Sequence, residues 1–366
     1  MYLPGLPALA RELSASASAV QLTLTACLAG LAVGQLVAGP LSDRLGRRTP
    51  LLTGVGGYTL ASVLCAFAPT VWTLGGLRFI QGATGAAGIV IARAIVRDTH
   101  EGGALVRFFS MLMLVTGLAP ILAPVIGGQV LEVTSWRGIF IVLAVIGAVL
   151  LAASATGLAE TLPPERRRDG GVRATARTML GLLCDRHFTG YALAGGFAFG
   201  ALFTYVSGSP FVLQDIYGAS PQAFSAVFAV NSVGIVVAGQ LNGRLAGRVA
   251  ALTMLRIGVT SMAVAGCAVF AVVAVGSLPL VTLLVPLWVL VASMGLVFPN
   301  TIALALAGHP EVAGSASALI GVLQFTIGAA AAPLAGIAGT GTALPMAATM
   351  ALLALSAVAV LRLSAR

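Results

Sequence analysis

The chain has 366 residues, of which 58% are hydrophobic and 8% are charged, and its mean hydropathy is +1.03. About a quarter of the residues in a soluble domain are charged, so this composition excludes a soluble multidomain enzyme and indicates a protein that crosses the membrane many times. The net charge of +9 does not indicate nucleic-acid binding, because the basic residues, all of them arginine, cluster in alternate loops between apolar segments.

A helix needs about 20 apolar residues to cross the hydrocarbon core of a bilayer. Eleven such stretches are predicted, at roughly 19–42, 50–68, 72–93, 105–128, 138–159, 188–207, 221–241, 250–274, 279–303, 312–336 and 342–362. The longest polar stretch separates the first five from the last six. The sequence therefore predicts an N-terminal helix bundle (1–159), a cytoplasmic linker (160–187) and a C-terminal helix bundle (188–366). Since arginine-rich loops stay in the cytoplasm, the C-terminus is predicted to be cytoplasmic.

A short basic turn between two apolar runs occurs once in each half. Residues 39–48 read Gly-Pro-Leu-Ser-Asp-Arg-Leu-Gly-Arg-Arg, and residues 239–248 read Gly-Gln-Leu-Asn-Gly-Arg-Leu-Ala-Gly-Arg. Because the second turn has one extra residue, Ala246, Gly46 aligns with Gly247. The alternative is that two unrelated turns are alike by chance. The repeat predicts a duplicated helical transporter.

Several segments resemble the motifs of one transporter family. Residues 39–48 resemble motif A of the major facilitator superfamily, and residues 78–85 resemble its fourth-helix motif with an intramembrane arginine. Residues 117–128 resemble motif C, the fifth-helix signature of proton-driven exporters. Three further segments are similar to the Bcr/CflA group of bicyclomycin and chloramphenicol drug:proton antiporters: 1–4, 160–167 and 313–318.

This resemblance implies an all-α membrane protein with the major facilitator fold, built from two pseudo-symmetric six-helix bundles. It implies a monomer in the bacterial inner membrane that exchanges small drug-like molecules for protons by alternating access. Two other functions stay open: a major facilitator that imports a metabolite, and a truncated, non-transporting membrane protein. Motif C favours export over import. Substrate, protons and membrane lipid are the expected partners.

The beginning of the chain departs from the group's pattern. There, the segment Met-Tyr-Leu-Pro lies at the outer end of helix 1 and directly follows an acidic residue implied in proton coupling, whereas this chain begins at that Met1. Most of helix 1 is therefore expected to be missing. We expect Met1 to be an internal methionine of a reading frame that starts about 20–30 residues upstream, enough for one more span. The nucleotide sequence upstream of the Met1 codon tests this expectation.

Arg78 is the one strong charge that the sequence places well inside a predicted span. A charge at that depth is costly, so by default it faces the bundle interior and serves function. Its implied role is proton coupling, by lowering the pKa of a partner carboxylate. Gln81, one helical turn further on, is predicted to share this network. The alternative is an arginine that extends to the outer headgroups.

Motif A is predicted to act as a cytoplasmic gate rather than as a binding site. Asp43 is expected to accept hydrogen bonds from helix N-terminal amides of the other half, and the arginines are expected to pair with Asp98. The alternative is that the arginines only fix topology. The gate residues are predicted to be Gly39, Asp43, Arg44, Gly46, Arg47 and Asp98.

The remaining site residues belong to motif C and to the cavity. Prolines and glycines in motif C are predicted to bend the fifth helix and let a neighbour approach closely, although membrane helices also tolerate them without a role. These residues are Gly117, Pro120, Pro124, Gly127 and Gly128. The cavity for an apolar drug needs aromatic and amide groups, for which the candidates are Tyr2, Gln35, Met113, Phe199, Phe203, Asn231, Gln324 and Phe325.

No catalytic, metal or cofactor site is predicted. The cysteines are isolated in different segments, without metal-site or redox spacing. His100, His187 and His309 lie in predicted loops without partners at ligand spacing. The glycine-rich stretches lack a P-loop lysine, so ATP is not supported as the energy source.

Overall fold

The computed structural model describes residues 1–100, 122–167, 172–276, 279–309, 312–339 and 341–364. Within these residues the chain is almost entirely helical, and ten helices are long and apolar enough to cross a membrane. The helices are α1 Leu6–Glu12, α2 Ala17–Leu45, α3 Arg48–Ala66, α4 Val71–Thr99, α5 Leu122–Val133, α6 Trp136–Gly157, α7 Val172–Cys184, α8 Arg186–Phe211, α9 Pro221–Leu245, α10 Ala251–Val275, α11 Leu280–Ala292, α12 Met294–Ala307, α13 Ala313–Ala331 and α14 Leu344–Ser364.

The membrane-spanning helical fold predicted from the sequence is confirmed. Most of the predicted span at 105–128 lies outside the described residues, and α5 begins at Leu122. The predicted span at 279–303 consists of two consecutive helices, α11 and α12, that meet at Ser293. The linker between the bundles carries the short helix α7, and the bounds assigned to the bundles stay a prediction.

Side-chain caps fix where several spans begin. Ser16, Thr70 and Ser220 each accept a hydrogen bond from the backbone N–H three residues ahead, at the starts of α2, α4 and α9. Asp185 caps α8 by accepting from the N–H groups of His187 and Phe188. Such caps satisfy N–H groups that have no partner inside the helix.

The same helix pairings occur in both halves. In the first half α4 packs against α2 and α3, and α3 packs against α6; in the second half α11 and α12 pack against α9 and α10, and α10 packs against α14. The repeated turns also match, because Gly46 (φ 93°) and Gly247 (φ 82°) both adopt a positive φ that favours glycine. The duplication therefore extends to the turn conformation, with Ala246 as the extra residue.

Glycines bring α2 and α4 into close contact. A Cβ on Gly30 would lie 2.1 Å from the carbonyl oxygen of Phe79, and a Cβ on Gly34 would lie 2.2 Å from that of Ala83. From the other side, a Cβ on Gly82 would lie 2.1 Å from the carbonyl oxygen of Cys27. Because lipid provides no hydrophobic drive between helices, this backbone proximity is what holds them together.

Among the described residues the two halves meet mainly along α2 and α13, which run antiparallel. Glycines of α13 face α2, since a Cβ on Gly321 would lie 2.9 Å from Gln35 Oε1 and a Cβ on Gly328 would lie 3.5 Å from Leu28 Cδ1. The linker helix α7 packs under this interface, where Met179 and Leu182 join an apolar cluster of the second half.

Candidate functional site

Arg78 lies on α4 and contacts only neutral groups in the part of the chain that the structure describes. Its Nη1 donates to Gln81 Oε1, and the amide of Gln81 donates to Ser62 Oγ at 2.6 Å. The guanidinium lies over two aromatic rings, 5.0 Å from the centroid of Tyr2 and 5.7 Å from that of Phe140. The predicted pair of Arg78 and Gln81 is therefore brought together.

The charge of Arg78 is incompletely satisfied. Its Nε atom is shielded from solvent and has no hydrogen-bond partner, and among the described residues it forms no ion pair with a carboxylate. Cation–π contacts stabilise such a group by about 0.5–2 kcal/mol, less than the several kcal/mol that burying a charge costs. The site therefore favours an anionic group beside Arg78.

Motif A forms an ionic cluster around Arg47, whose side chain is only 4% exposed. Arg47 Nε donates to Asp98 Oδ2 at 2.7 Å, and its Nη1 donates to Asp43 Oδ1 and to Ser42 Oγ at 2.8 Å. Asp43 thus pairs with an arginine of its own half. The neighbouring Arg44 is exposed, and the φ of Gly46 makes the turn.

Two residues of this cluster were not predicted to belong to it. Ser42 lies one turn before the predicted Gly46 and is fully buried. Glu160, which follows α6, accepts from the backbone N–H groups of Arg47 at 2.7 Å and of Arg48 at 3.2 Å. Glu160 belongs to the segment that resembles the Bcr/CflA group, but no local signal indicates that its carboxylate would contact the first turn of α3.

The second copy of the turn makes a contact between two neutral side chains. Asn242, which aligns with Ser42, accepts a hydrogen bond from Asn300 Nδ2 on α12 at 2.6 Å. Gly243 stands where the first copy has Asp43. The described contact at Asn242 therefore joins two neutral amides, whereas the contacts at Arg47 in the first half are ionic.

The described part of motif C lies where the two halves meet. Ser225 Oγ of α9 donates to the carbonyl oxygen of Pro124 at 3.0 Å, and a Cβ on Gly128 would lie 2.6 Å from the same hydroxyl. A Cβ on Gly127 would lie 2.0 Å from the carbonyl oxygen of Met1. Close approach at these glycines is what the motif predicts, whereas Gly117 and Pro120 lie outside the described residues.

The cavity candidates fall into an aromatic group and a polar group. Phe199 stacks on Phe203 with ring centroids 5.7 Å apart, and it meets Phe325 edge-on at 5.6 Å. All three rings are partly buried. Gln324, next to Phe325, is buried, and its Nε2 has no hydrogen-bond partner. The three rings therefore form one aromatic surface, and Gln324 is a buried amide with an unused donor at the next position on the helix of Phe325.

Three of the other cavity candidates have contacts of their own. Asn231 is buried and donates to the Tyr205 hydroxyl at 2.7 Å, which gives it a structural partner inside the second half. Tyr2 is buried against Arg78 and bonds to Thr23 at 2.9 Å. Gln35 faces α13, as described above, and Met113 lies outside the described residues.

Hydrogen bonds from the first half to the second gather at the end of the bundle opposite the motif A turn, which we call the far end. The pairs are Arg11 with Asp215, Gln214 with Pro4, Ser18 with Pro333, Gln21 with Ser207, Thr25 with Ala329, and Ser225 with Pro124. The far end is therefore closed by direct contacts between the halves.

The described residues include no group of three or more His, Cys, Asp or Glu that could hold a metal ion.

Two bundles of membrane-spanning helices with repeated pairings, around a buried cation and an ionic turn, define a helical membrane transporter. The sequence profile of the Major Facilitator Superfamily matches residues 1–333, and the chain belongs to this family. It is therefore a multi-pass membrane transporter and not an enzyme.

Three relatives refine this assignment. The chain is 46% identical to the uncharacterized MFS-type transporter YdgK of Bacillus subtilis, over 96% of this chain and 87% of that protein. It is 34% identical to the bicyclomycin resistance protein homolog of Haemophilus influenzae, over 96% and 88%. It is 33% identical to a chloramphenicol resistance protein of Pseudomonas aeruginosa, over 90% and 78%. The predicted resemblance to the Bcr/CflA group is confirmed.

Solved structures of more distant transporters share the fold. The nucleoside transporter NupG matches with a TM-score of 0.77 and 13% identity, over 98% of this chain and 94% of that one. A D-xylose-proton symporter matches with a TM-score of 0.74 and 14% identity, over 97% and 92%. At these identities the likeness shows the fold alone.

Proposed function

We propose that this transporter exports small drug-like molecules in exchange for protons, by alternating access. The resistance proteins named above support a drug as the cargo. The observation that carries proton coupling is Arg78, a cation inside a membrane-spanning helix whose described partners are an amide and two aromatic rings. A cation in such surroundings lowers the pKa of a carboxylate placed beside it and so controls when that group takes up a proton.

The position of Tyr2 supports the same role for Arg78. In the Bcr/CflA group the coupling acid directly precedes the segment that here reads Met1-Tyr-Leu-Pro4. The structure has the Tyr2 ring 5.0 Å from the guanidinium of Arg78. An acid at the family position would stand two residues before Tyr2, whose ring contacts the arginine.

The two ends of the bundle support alternating access. We propose that the end with motif A faces the cytoplasm of a bacterial inner membrane, because its loops carry the arginine clusters. The far end is closed by hydrogen bonds between the halves. At the motif A end, the cluster of Arg47 joins the turn to α4 at Asp98 and is proposed to rearrange as that end opens.

The aromatic surface of Phe199, Phe203 and Phe325 supports an apolar, flat cargo. Rings stack on such a surface, and the free Nε2 of Gln324 offers one hydrogen bond to an acceptor on the molecule. A cationic molecule would need an acidic group in the cavity, and none of the predicted cavity residues is acidic, so a neutral or weakly polar molecule fits better.

Transport in inverted membrane vesicles tests this proposal. Chloramphenicol and bicyclomycin serve as probes, and the vesicle lumen is made acidic. Export predicts that the probe accumulates in the lumen as protons leave, and that nigericin abolishes the accumulation. Import of a metabolite is the competing function. Probe accumulation that does not depend on the pH gradient would contradict the proposal. So would gradient-driven movement of a sugar out of the vesicle lumen.

A further inference from the structure

A proline breaks the hydrogen-bond ladder of α13 at the far end. The last regular bond there runs from the N–H of Ala332 to the carbonyl oxygen of Gly328, and the chain continues as a tighter 3-10 turn, Ala332–Gly336. Pro333 has no N–H, so the carbonyl oxygen of Ala329 loses the donor it would have in a continuous helix. Buried carbonyl groups seek a replacement partner, particularly in a membrane.

Thr25 of the first half supplies that partner. Its Oγ1 donates to the carbonyl oxygen of Ala329 at 2.8 Å. A threonine hydroxyl in a helix commonly bonds to its own backbone instead, as Thr23 does with the carbonyl oxygen of Val20 at 2.6 Å. The bond from Thr25 therefore joins the two halves of the chain instead of staying within α2.

Two more side chains on the same face of α2 extend this contact. Ser18 Oγ donates to the carbonyl oxygen of Pro333 at 3.4 Å, and Gln21 Nε2 donates to that of Ser207 at 3.2 Å. Ser207 Oγ in turn donates to the carbonyl oxygen of Ala332 at 3.2 Å. Positions 18, 21 and 25 are spaced so that one helix face presents all three donors.

Gly336 makes this contact close. A Cβ on Gly336 would lie 2.6 Å from Gln21 Oε1 and 3.1 Å from the backbone nitrogen of Ser18. The turn after Pro333 therefore lies directly against the beginning of α2.

We infer that Thr25 and the helix break at Pro333 form a latch that closes the far end and sets how often that end opens. The latch consists of the side chains of Ser18, Gln21 and Thr25 and the backbone carbonyl groups that they bond. This inference rests on the proposed alternating access, since a latch matters only if the far end opens.

Neutral hydrogen bonds suit a gate that must open in every cycle. When the far end opens, water replaces Thr25 on the carbonyl of Ala329, so the bond contributes only a modest net free energy. The ion pair of Arg11 and Asp215 also joins the halves there, but the arginine side chain is 69% exposed, and exposed pairs contribute little. The latch is therefore expected to be insensitive to salt.

Distances between two spin labels at the far end test the latch without any drug. In the full chain with its four cysteines replaced by alanine, cysteines for labelling are introduced at Val133 and Ile337, which are 85% and 71% exposed and belong to different halves. The labelled protein is measured in lipid nanodiscs by double electron–electron resonance. We expect Thr25→Val to raise the ratio of long to short distances about fivefold. Thr25→Ser, which keeps the hydroxyl, is expected to restore the wild-type ratio.

Pro333→Ala tests the cause of the latch. The restored N–H competes for the carbonyl of Ala329, so the ratio is expected to rise as well, and Thr25→Val is expected to add less in that background than alone. Two matched controls leave the interface intact. Thr156→Val removes a hydroxyl that bonds within α6, and Pro286→Ala restores an N–H inside α11.

The outcomes separate this inference from the proposed function. The latch would be overturned if Thr25→Val left the ratio unchanged, or if the effects of Thr25→Val and Pro333→Ala added fully. In either case, two distances in the wild type would still support alternating access. A single distance in the wild type and in every variant, both in nanodiscs and in a second measurement in liposomes with a pH gradient, would overturn both.

Discussion

The backbone N–H of Arg47 donates to Oε1 of Glu160 at 2.7 Å, although the two residues are 113 positions apart in the chain. The carboxylate of Glu160 thereby takes the place of a cap at the beginning of α3, where no side chain of the turn itself caps the helix. The segment after α6 thus holds the motif A turn in place. Burial opposes ionisation, but backbone N–H groups of Leu162, Arg47, Arg48 and Thr161 hold the pKa of Glu160 below its ordinary value.

Glu160→Gln is predicted to lower the thermal unfolding temperature at pH 7 by a few degrees at most, because the carboxylate is exposed and its interactions are screened. Since the folded state lowers the pKa, the stabilisation is present above the ordinary pKa of glutamate, about 4.3, and is lost as the pH falls through the lowered value. The difference from the wild type should therefore shrink in acid. The exposed Glu165→Gln is the control, and an equal loss there would contradict the prediction.

Asp98→Asn is predicted to reduce probe accumulation in inverted vesicles about tenfold or more. Hydrogen bonds to charged groups contribute about 1.5–3 kcal/mol, and the substitution leaves Arg47 buried with only part of its compensation. Asp43→Asn should have a weaker effect, since the Asp43 side chain is 47% exposed and that of Asp98 is 16% exposed. Equal effects of the two substitutions would count against a gate organised around Arg47.

Arg78→Ala is predicted to abolish transport coupled to the pH gradient while the protein still folds and inserts. The substitution removes the charge that is proposed to control the proton site, whereas loss of packing by one polar side chain is modest. Membrane level and thermal unfolding serve as the folding controls, and Arg93→Ala, on the exposed face of the same helix, is the matched variant. Near-normal gradient-driven accumulation by Arg78→Ala would contradict the proposed role of the arginine in proton coupling.

Gly30→Ala is predicted to destabilise the first bundle by about 2 kcal/mol or more, because the added methyl group overlaps backbone atoms of α4 that cannot move aside. Gly75→Ala is the control, since nothing lies within 4 Å of a Cβ at that position. Denaturation in detergent measures both. If the two variants unfold alike, the close approach of α2 and α4 does not determine the stability.

Cys184 tests the sidedness that we propose. It is exposed on α7, at the end of the bundle that carries the motif A turn. In a variant that keeps only this cysteine, an impermeant maleimide should label inverted vesicles and leave intact cells unlabelled. Labelling of intact cells would show that the proposed orientation in the membrane is wrong.

The sequence predicted single residues better than it predicted their partners. Arg78 and Gln81 are one helical turn apart, so their contact follows from spacing alone, whereas Ser62 comes from another helix and has no local signal. Arg47 was expected to meet Asp98, because both lie at the inner ends of adjacent spans. Asp43 was expected to reach the other half and instead bonds Arg47, four residues away in its own half.

Composition and the lengths of the apolar runs by themselves determined that this chain crosses the membrane many times, because a bilayer imposes length, hydropathy and loop charge on every span. The repeated basic turn predicted a duplicated transporter. The resemblance of several segments to known motifs indicated the family. Only the tertiary structure decided that Glu160 holds the motif A turn and that Thr25 bonds the carbonyl of Ala329. The physical reason is that these contacts join segments far apart in the chain through backbone N–H and carbonyl groups, and almost every residue carries both. Side-chain identity therefore carries no signal for them until the helices have packed.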